Sequence, residues 1–183
     1  ENDRIRFYEI NPQVEEIARE HFSYLEDSKG EATVVLGDAR ISLERELEEQ
    51  GSLGFDLIVL DAFSGDSVPI HLLTVEAMEL YQKHLKPEGV IAFHISNLHL
   101  DLSQPVRHLI NHAEFNSAYI EFSPDDDDHL NYDSDWVLAS RNRLFLDNVD
   151  IAGYTTSWYT ELIPGILWTD DYSNLLEVIS WDE

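Results

Sequence analysis

Cysteine is absent from this chain. That excludes a disulfide framework, a thiolate metal site and a cysteine nucleophile, and it fits a reducing, cytoplasmic compartment. Basic residues are scarce: 11 Lys and Arg stand against 37 Asp and Glu, for a formal net charge of −26, and the lysines are only Lys29, Lys83 and Lys86. Such a surface repels nucleic-acid phosphates and anionic lipid. It attracts metal ions, polyamines and basic peptides, and it equally suits a heavily solvated surface adapted to high salt. Long hydrophobic runs are missing too. None approaches the ~20 residues of a membrane span, and Glu1-Asn2-Asp3 is no signal-peptide start. What is there suffices for a fold, because 183 residues with 43% hydrophobic and 11% aromatic content build one domain with a sizeable core. The chain opens without Met and enters a strand almost at once, so a fragment of a longer protein is expected.

Strand and helix patterns alternate, which points to an α/β sandwich with a mostly parallel sheet. Arg4 to Ile10 reads as a strand. Asn11 is a natural cap for the next helix, with Pro12 in its first turn, and Val14, Ile17, Ala18, His21, Phe22 and Leu25 recur on one helical face. Thr33 to Leu36 forms a second strand ending in Gly37-Asp38, and Ile41, Leu43 and Leu47 line a short acidic helix. Phe55 to Leu60 is almost continuously apolar, the pattern of a central parallel strand covered on both faces. It ends in Asp61. Ala77, Met78, Tyr81 and Leu85 mark a helix stopped by Pro87 and Gly89, followed by a buried strand from Val90 to Ile95. Val106, Leu109, Ile110 and Ala113 mark another helix, and Ser117 to Phe122 and Asp135 to Ala139 two last strands. The α/β domain is read as 1–145, with a tail, 146–183, whose Trp158, Trp168 and Trp181 pack it onto the same domain.

Ligands of open parallel sheets bind beyond the carboxyl ends of the strands, so polar residues there are the candidates. Glu9 is placed to accept from a ribose diol, though a solvated Glu ahead of a helix also suits the helix dipole. Asp38, after the turn-permitting Gly37, can take an exocyclic amine or cap its helix. Asp61 is the most informative. A carboxylate closing the most apolar strand is partly desolvated, which tunes its basicity, and with Asp66 nearby it can hold a cationic amine and take its proton. Turn formation is the alternative. The run Asp125 to Asp128 with His129 lacks the spacing of a calcium loop. His94, on a buried strand, reads as a satisfied core residue. Asp170-Asp171 suits a cap for a last helix.

Three stretches together, Phe7-Tyr8-Glu9-Ile10-Asn11-Pro12, Gly37-Asp38-Ala39-Arg40 and Phe55-Asp56-Leu57-Ile58-Val59-Leu60-Asp61-Ala62-Phe63, resemble the spermidine synthase-like (polyamine aminopropyltransferase) family of the S-adenosylmethionine-dependent methyltransferase fold. His71-Leu72-Leu73-Thr74, His94-Ile95-Ser96-Asn97, Ser134-Asp135-Trp136-Val137-Leu138 and the stretch Trp168 to Leu176 are most similar to its subgroup fused to a membrane transporter-like region. The resemblance implies a three-layer, Rossmann-like methyltransferase sheet lacking its first strand and glycine-rich loop. It also implies Glu9 on the ribose, Asp38 and Ala39 on the adenine, and Asp61 as the acid that positions and deprotonates the amine; the loop after Asp61 itself offers Ser64 and Asp66 within reach of a small bound amine. Decarboxylated S-adenosylmethionine or S-adenosylmethionine is then a co-substrate, with no tightly bound cofactor and no metal. The usual acidic pair is altered to Asp61-Ala62-Phe63-Ser64-Gly65-Asp66, which displaces the second carboxylate.

The leading functional expectation is aminopropyl transfer to a small-molecule amine or polyamine, with the isolated fragment inactive and weak in donor binding. Two readings stand beside it: a methyltransferase using the same donor site, and a non-catalytic nucleoside- or polyamine-binding domain attached to a transporter. A homodimer and an upstream membrane region are further expectations, and nucleic acid is not an expected partner. Without the first strand, the strands Arg4–Ile10 and Phe55–Leu60 must pair with each other, with the tail or with a second chain.

Overall fold

A computed structural model describes residues 3–62, 68–124 and 132–180. The chain divides into two compact units, Glu1–Gly51 and Ser52–Glu183.

In the first unit, β1 (Arg4–Glu9) and β2 (Glu31–Leu36) form a parallel pair in register from Arg4 beside Glu31 to Glu9 beside Leu36. A parallel pair needs a crossover, and α1 (Pro12–His21) supplies it. Asn11 caps α1 by accepting from the Gln13 N–H, with Pro12 at the first position, where a missing N–H costs nothing. The apolar face expected of α1 stays largely open. Ala18 is buried, but Val14, Ile17 and Phe22 are exposed, since two strands offer too little sheet to cover it. After β2, Gly37 turns the chain at φ 135°, a conformation costly for residues with a Cβ, and α2 (Ala39–Gln50) follows. The buried Glu46 of α2 accepts the Tyr8 hydroxyl at 2.6 Å and pairs with Arg6 at 2.8 Å, tying α2 to β1.

The second unit carries a five-stranded sheet of order β3-β4-β6-β5-β7. Its strands are β3 (Phe55–Leu60), β4 (Leu85–His94), β5 (Asn116–Phe122), β6 (Ser134–Ser140) and β7 (Thr155–Thr156). β3 and β4 are parallel and the remaining pairs antiparallel, so the sheet is mixed. The helices α3 (Val75–His84) and α4 (Ser103–His112) pack on one another, while the short α5 (Arg143–Leu146) and α6 (Val149–Ala152) follow β6. The core is built from Leu73, Tyr81, Ile91, Phe93, Val106, Ile110 and Val137, with Trp168 fully enclosed. Each large apolar side chain so buried contributes about 1.5–3 kcal/mol.

Three sequence expectations change. β3 is not central: among the described residues it pairs only with β4, and Leu57 and Val59 are about half exposed. Likewise β1 pairs only with β2. Pro87 and Gly89 lie inside β4, because α3 already ends at His84. The antiparallel partner β6 joins only from Val90 onward, so no β6 carbonyl is left waiting for the N–H that Pro87 lacks. The last turn, Leu175–Val178, is a short 3₁₀ segment capped by Asn174 rather than by Asp170 or Asp171. Asp170 instead accepts the Thr74 hydroxyl.

Candidate active site

Within the second unit, the β3–β4 register places Leu60 beside Phe93, both buried. The next residue on each strand is therefore delivered to the same point at the carboxyl end of the pair. Those residues are Asp61 and His94. Asp61 Oδ1 lies 2.6 Å from His94 Nδ1, with the aspartate side chain 56% exposed and the imidazole 17% exposed. The ring stacks on Trp136 of the neighbouring β6, with centroids 4.7 Å apart and planes 19° apart. Its Nε2 faces Ser134 Oγ at 3.4 Å, and that oxygen accepts the Trp136 indole N–H at 2.7 Å. Four side chains from three strands thus form one hydrogen-bonded group.

Asp135 sits beside this group. Its backbone N–H donates to Ser96 Oγ at 2.6 Å, and its carbonyl accepts the Ile95 N–H at 2.9 Å, fixing the start of β6 to the end of β4. Burial, reinforced by Glu121, holds its carboxyl above the ordinary carboxylate range. Tyr119 of β5 is enclosed and stacks on Trp158 with centroids 4.7 Å apart. Burial, with the charges of Asp135 and Glu121, lifts its hydroxyl well above the usual tyrosine value. Tyr159 is pushed up to about 12, first by burial and then by Asp101. This acidic, aromatic setting disfavours added negative charge and accepts a cation readily.

In the first unit, the β1–β2 register sets Glu9 beside Leu36, and the Gly37 N–H donates to the Glu9 carbonyl at 2.9 Å. Glu9 and Asp38 thus occupy adjacent strand ends. Glu9 Oε1 accepts the Asn11 N–H at 2.8 Å, and Oε2 makes no hydrogen bond among the described residues. Asp38 is the N-cap of α2 and accepts the Ile41 N–H at 3.0 Å. Ala39 opens that helix, where first-turn N–H groups have no intrahelical acceptor. The arrangement places the Glu9 carboxylate and the Ala39 backbone N–H at adjacent strand ends, while the Ile41 and Ser42 N–H groups are taken by Asp38.

Ser64, Asp66 and the Asp125–Asp128 run with His129 lie outside the described residues. His94 and Ser134 join the candidate site without having been singled out by sequence pattern. A signal for both was present, since each opens a stretch, His94-Ile95-Ser96-Asn97 and Ser134-Asp135-Trp136, that had already stood out as similar to one subgroup. Helical and strand periodicity reports burial, and it is silent on a partner 33 residues away in sequence.

No family model matches the chain. It is 38% identical over 85 residues to a polyamine aminopropyltransferase from Vibrio vulnificus, a match covering 45% of this chain and 26% of that protein. It is 33% identical over 84 residues to an N-terminal histidine N-methyltransferase from Emericella nidulans, covering 46% and 14%. Among solved structures, a probable spermidine synthase from Corynebacterium glutamicum superposes with a TM-score of 0.59 at 20% identity, covering 81% of this chain and 51% of that one. Spermidine synthase from Thermotoga maritima gives 0.53 at 16%, covering 91% and 54%. An O-methyltransferase from Bacillus cereus in complex with SAH gives 0.50 at 18%, covering 75% and 62%. The chain spans about half the length of the two spermidine synthases and about a quarter of the aminopropyltransferase. The fold is the α/β Rossmann-like methyltransferase fold with a mixed sheet.

Proposed function

We propose that this chain belongs to a group transferase using an S-adenosylmethionine-type donor, and that its reaction is aminopropyl transfer from decarboxylated S-adenosylmethionine to an amine or polyamine. The observation that carries the reading is Asp61: a carboxylate at the carboxyl end of a parallel strand, held on one oxygen by His94, more than half exposed, and with its other oxygen unbonded among the described residues. The identity shared with the Vibrio vulnificus aminopropyltransferase supports the same class.

In this reading Glu9 accepts from the donor's ribose hydroxyls, and Asp38 with the Ala39 backbone takes its adenine. Ser64 and Asp66 are assigned to the amine from the sequence alone. Asp61 binds the protonated amine, takes one proton, and holds the neutral nitrogen in line with the carbon next to the sulfonium. The new N–C bond forms as the C–S bond breaks. The sulfur keeps the electron pair and leaves as a neutral thioether nucleoside, so charge passes from sulfonium to ammonium, and no metal is needed to balance the step.

The match to an N-methyltransferase favours a second reading, in which the same donor site carries the form that keeps its carboxylate and a methyl group is transferred. Calorimetric titration with both donors, followed by product analysis with a set of amines, separates the two. Release of a thioether nucleoside from the decarboxylated donor together with an elongated amine supports the first. A methylated product supports the second. Binding of either donor without turnover moves the chain to a ligand-binding role.

A further inference from the structure

We infer that His94 is a positioning residue for Asp61, and that its tautomer is set by a hydrogen-bond relay running from Trp136 through Ser134. The inference rests on the reading of Asp61 as the amine-handling base and deepens it. The direction of the relay follows from chemistry. An indole N–H only donates, so the 2.7 Å contact makes Ser134 Oγ the acceptor from Trp136. The serine proton is then available to His94 Nε2, 3.4 Å away. At the other end, a bare Nδ1 lone pair facing a carboxylate oxygen at 2.6 Å would be repelled, so Nδ1 carries the ring proton and donates it to Asp61 Oδ1. Stacking on Trp136 holds the ring plane. Asp61 is thereby pinned through one oxygen, and Oδ2 makes no hydrogen bond among the described residues. A carboxylate fixed in this way presents one anionic oxygen in a set direction, which is the geometry needed to orient an ammonium and then receive its proton.

The sequence of groups Asp–His–Ser also resembles a hydrolytic triad, and the local geometry argues against that use. A serine nucleophile needs backbone N–H groups aimed at the developing oxyanion. The adjacent Asp135 N–H is already spent on Ser96 Oγ at 2.6 Å. Ser134 Oγ itself is occupied by Trp136. Its role is to donate a hydrogen bond to the ring, not to attack.

Two measurements on the same protein test the inference. Nitrogen-15 spectra of the histidines, with H94F identifying the His94 signals, read the tautomer directly and require no turnover. A ring carrying its proton on Nδ1 is expected, with S134A shifting the Nε2 signal as that nitrogen loses its hydrogen-bond donor. A ring protonated on Nε2 alone, or spectra unchanged by S134A, would overturn the relay. In turnover with the decarboxylated donor, H94F keeps an aromatic ring for the stack but has no donor, and kcat should fall about 10–100-fold, the usual cost of losing an outer partner of a working side chain. H94N returns an N–H near the place of Nδ1 and should recover most of that loss, with KM for the donor little changed in both. Wild-type kcat in H94F, or no recovery in H94N, also overturns the inference. Failure of the underlying reading is separate: it shows as full turnover in D61N, or as no group transfer by the wild type, and the nitrogen spectra still decide the relay in either case.

Discussion

Asp61 and His94 come from strands that run side by side in parallel, each one residue beyond the buried pair Leu60 and Phe93, and their side chains meet at 2.6 Å. The contact follows from the register and needs no loop to create it. A site built on strand ends inherits the rigidity of the sheet, which suits a group that must hold a reactant within a fraction of an ångström.

The first prediction concerns that carboxylate. Asp61→Asn keeps the shape and an oxygen for the His94 N–H but cannot take a proton. Turnover should fall by roughly 10²–10⁴, the usual contribution of a general base. Because the side chain is more than half exposed, the melting temperature should barely move. Rate and melting curve measured on one preparation decide it. A lower melting temperature with unchanged turnover would make Asp61 a turn residue.

Asp135 yields a pH prediction. Its carboxyl titrates above its ordinary value of 3.8, chiefly through burial, so the folded chain binds this proton more tightly than the unfolded chain does. Folding stability from this group is therefore greatest below pH ~3.8 and declines as pH rises through the raised value. Asp135→Asn stays neutral and escapes that decline. The variant should match the wild type in acid and exceed it at neutral pH in thermal melts. A variant that loses more stability at neutral pH than in acid would contradict the assignment.

Glu46 yields a test of the first unit. It accepts from Tyr8 and pairs with Arg6 while itself buried. Glu46→Ala leaves both partners short of an acceptor and should cost about 1–3 kcal/mol in urea unfolding. The Tyr8 hydroxyl, now held far above the usual tyrosine range by burial and by this carboxylate, should titrate closer to normal when tyrosinate absorbance is followed. No change in that titration would count against the pairing.

Gln104 ties the segment after residue 158 to α4. Its fully buried amide donates to Thr160 Oγ1 at 3.0 Å and to the Glu161 carbonyl at 2.9 Å, and its oxygen accepts the Ile163 N–H at 2.9 Å. Gln104→Leu keeps comparable bulk but strands those groups. Hydrogen exchange at Ile163 should accelerate at least tenfold, and proteases should cut near Thr160 sooner. Unchanged exchange would mean that the segment is held by its other contacts to α4, Arg107 on the Thr160 carbonyl and His108 on the Ile163 carbonyl.

Much of the fold was readable because it depends on local chemistry. Asn11-Pro12 at a helix start, Gly37-Asp38 at a turn and the apolar run Phe55 to Leu60 are each decided within a few residues. The misreadings share a different origin. β3 looked central because apolar content is blind to whether a strand has one neighbour or two. Pro87 looked like a stop because its tolerance depends on where β6 begins to pair. The site divides in the same way: Glu9, Asp38 and Asp61 could be picked out as strand-end carboxylates, whereas His94 gained a role only when β4 came to lie beside β3. A core histidine and a positioning histidine have the same neighbours in sequence.

The outer edge of β3 bears on how the chain behaves in a concentrated solution. Leu57 and Val59 are exposed on this strand, whose other edge is unpaired among the described residues, and an unpaired strand edge is a template for another. Two copies that approach must bring together net charges of −26 each. At low ionic strength that repulsion acts as a colloidal barrier. Salt removes it, because the screening length shrinks from about 10 Å at 0.1 M to about 3 Å at 1 M. Self-association should accordingly be switched on by salt, with sedimentation showing monomers in dilute buffer and larger species at high ionic strength. Val59→Lys, a charge placed on the strand itself, should keep the chain apart at both.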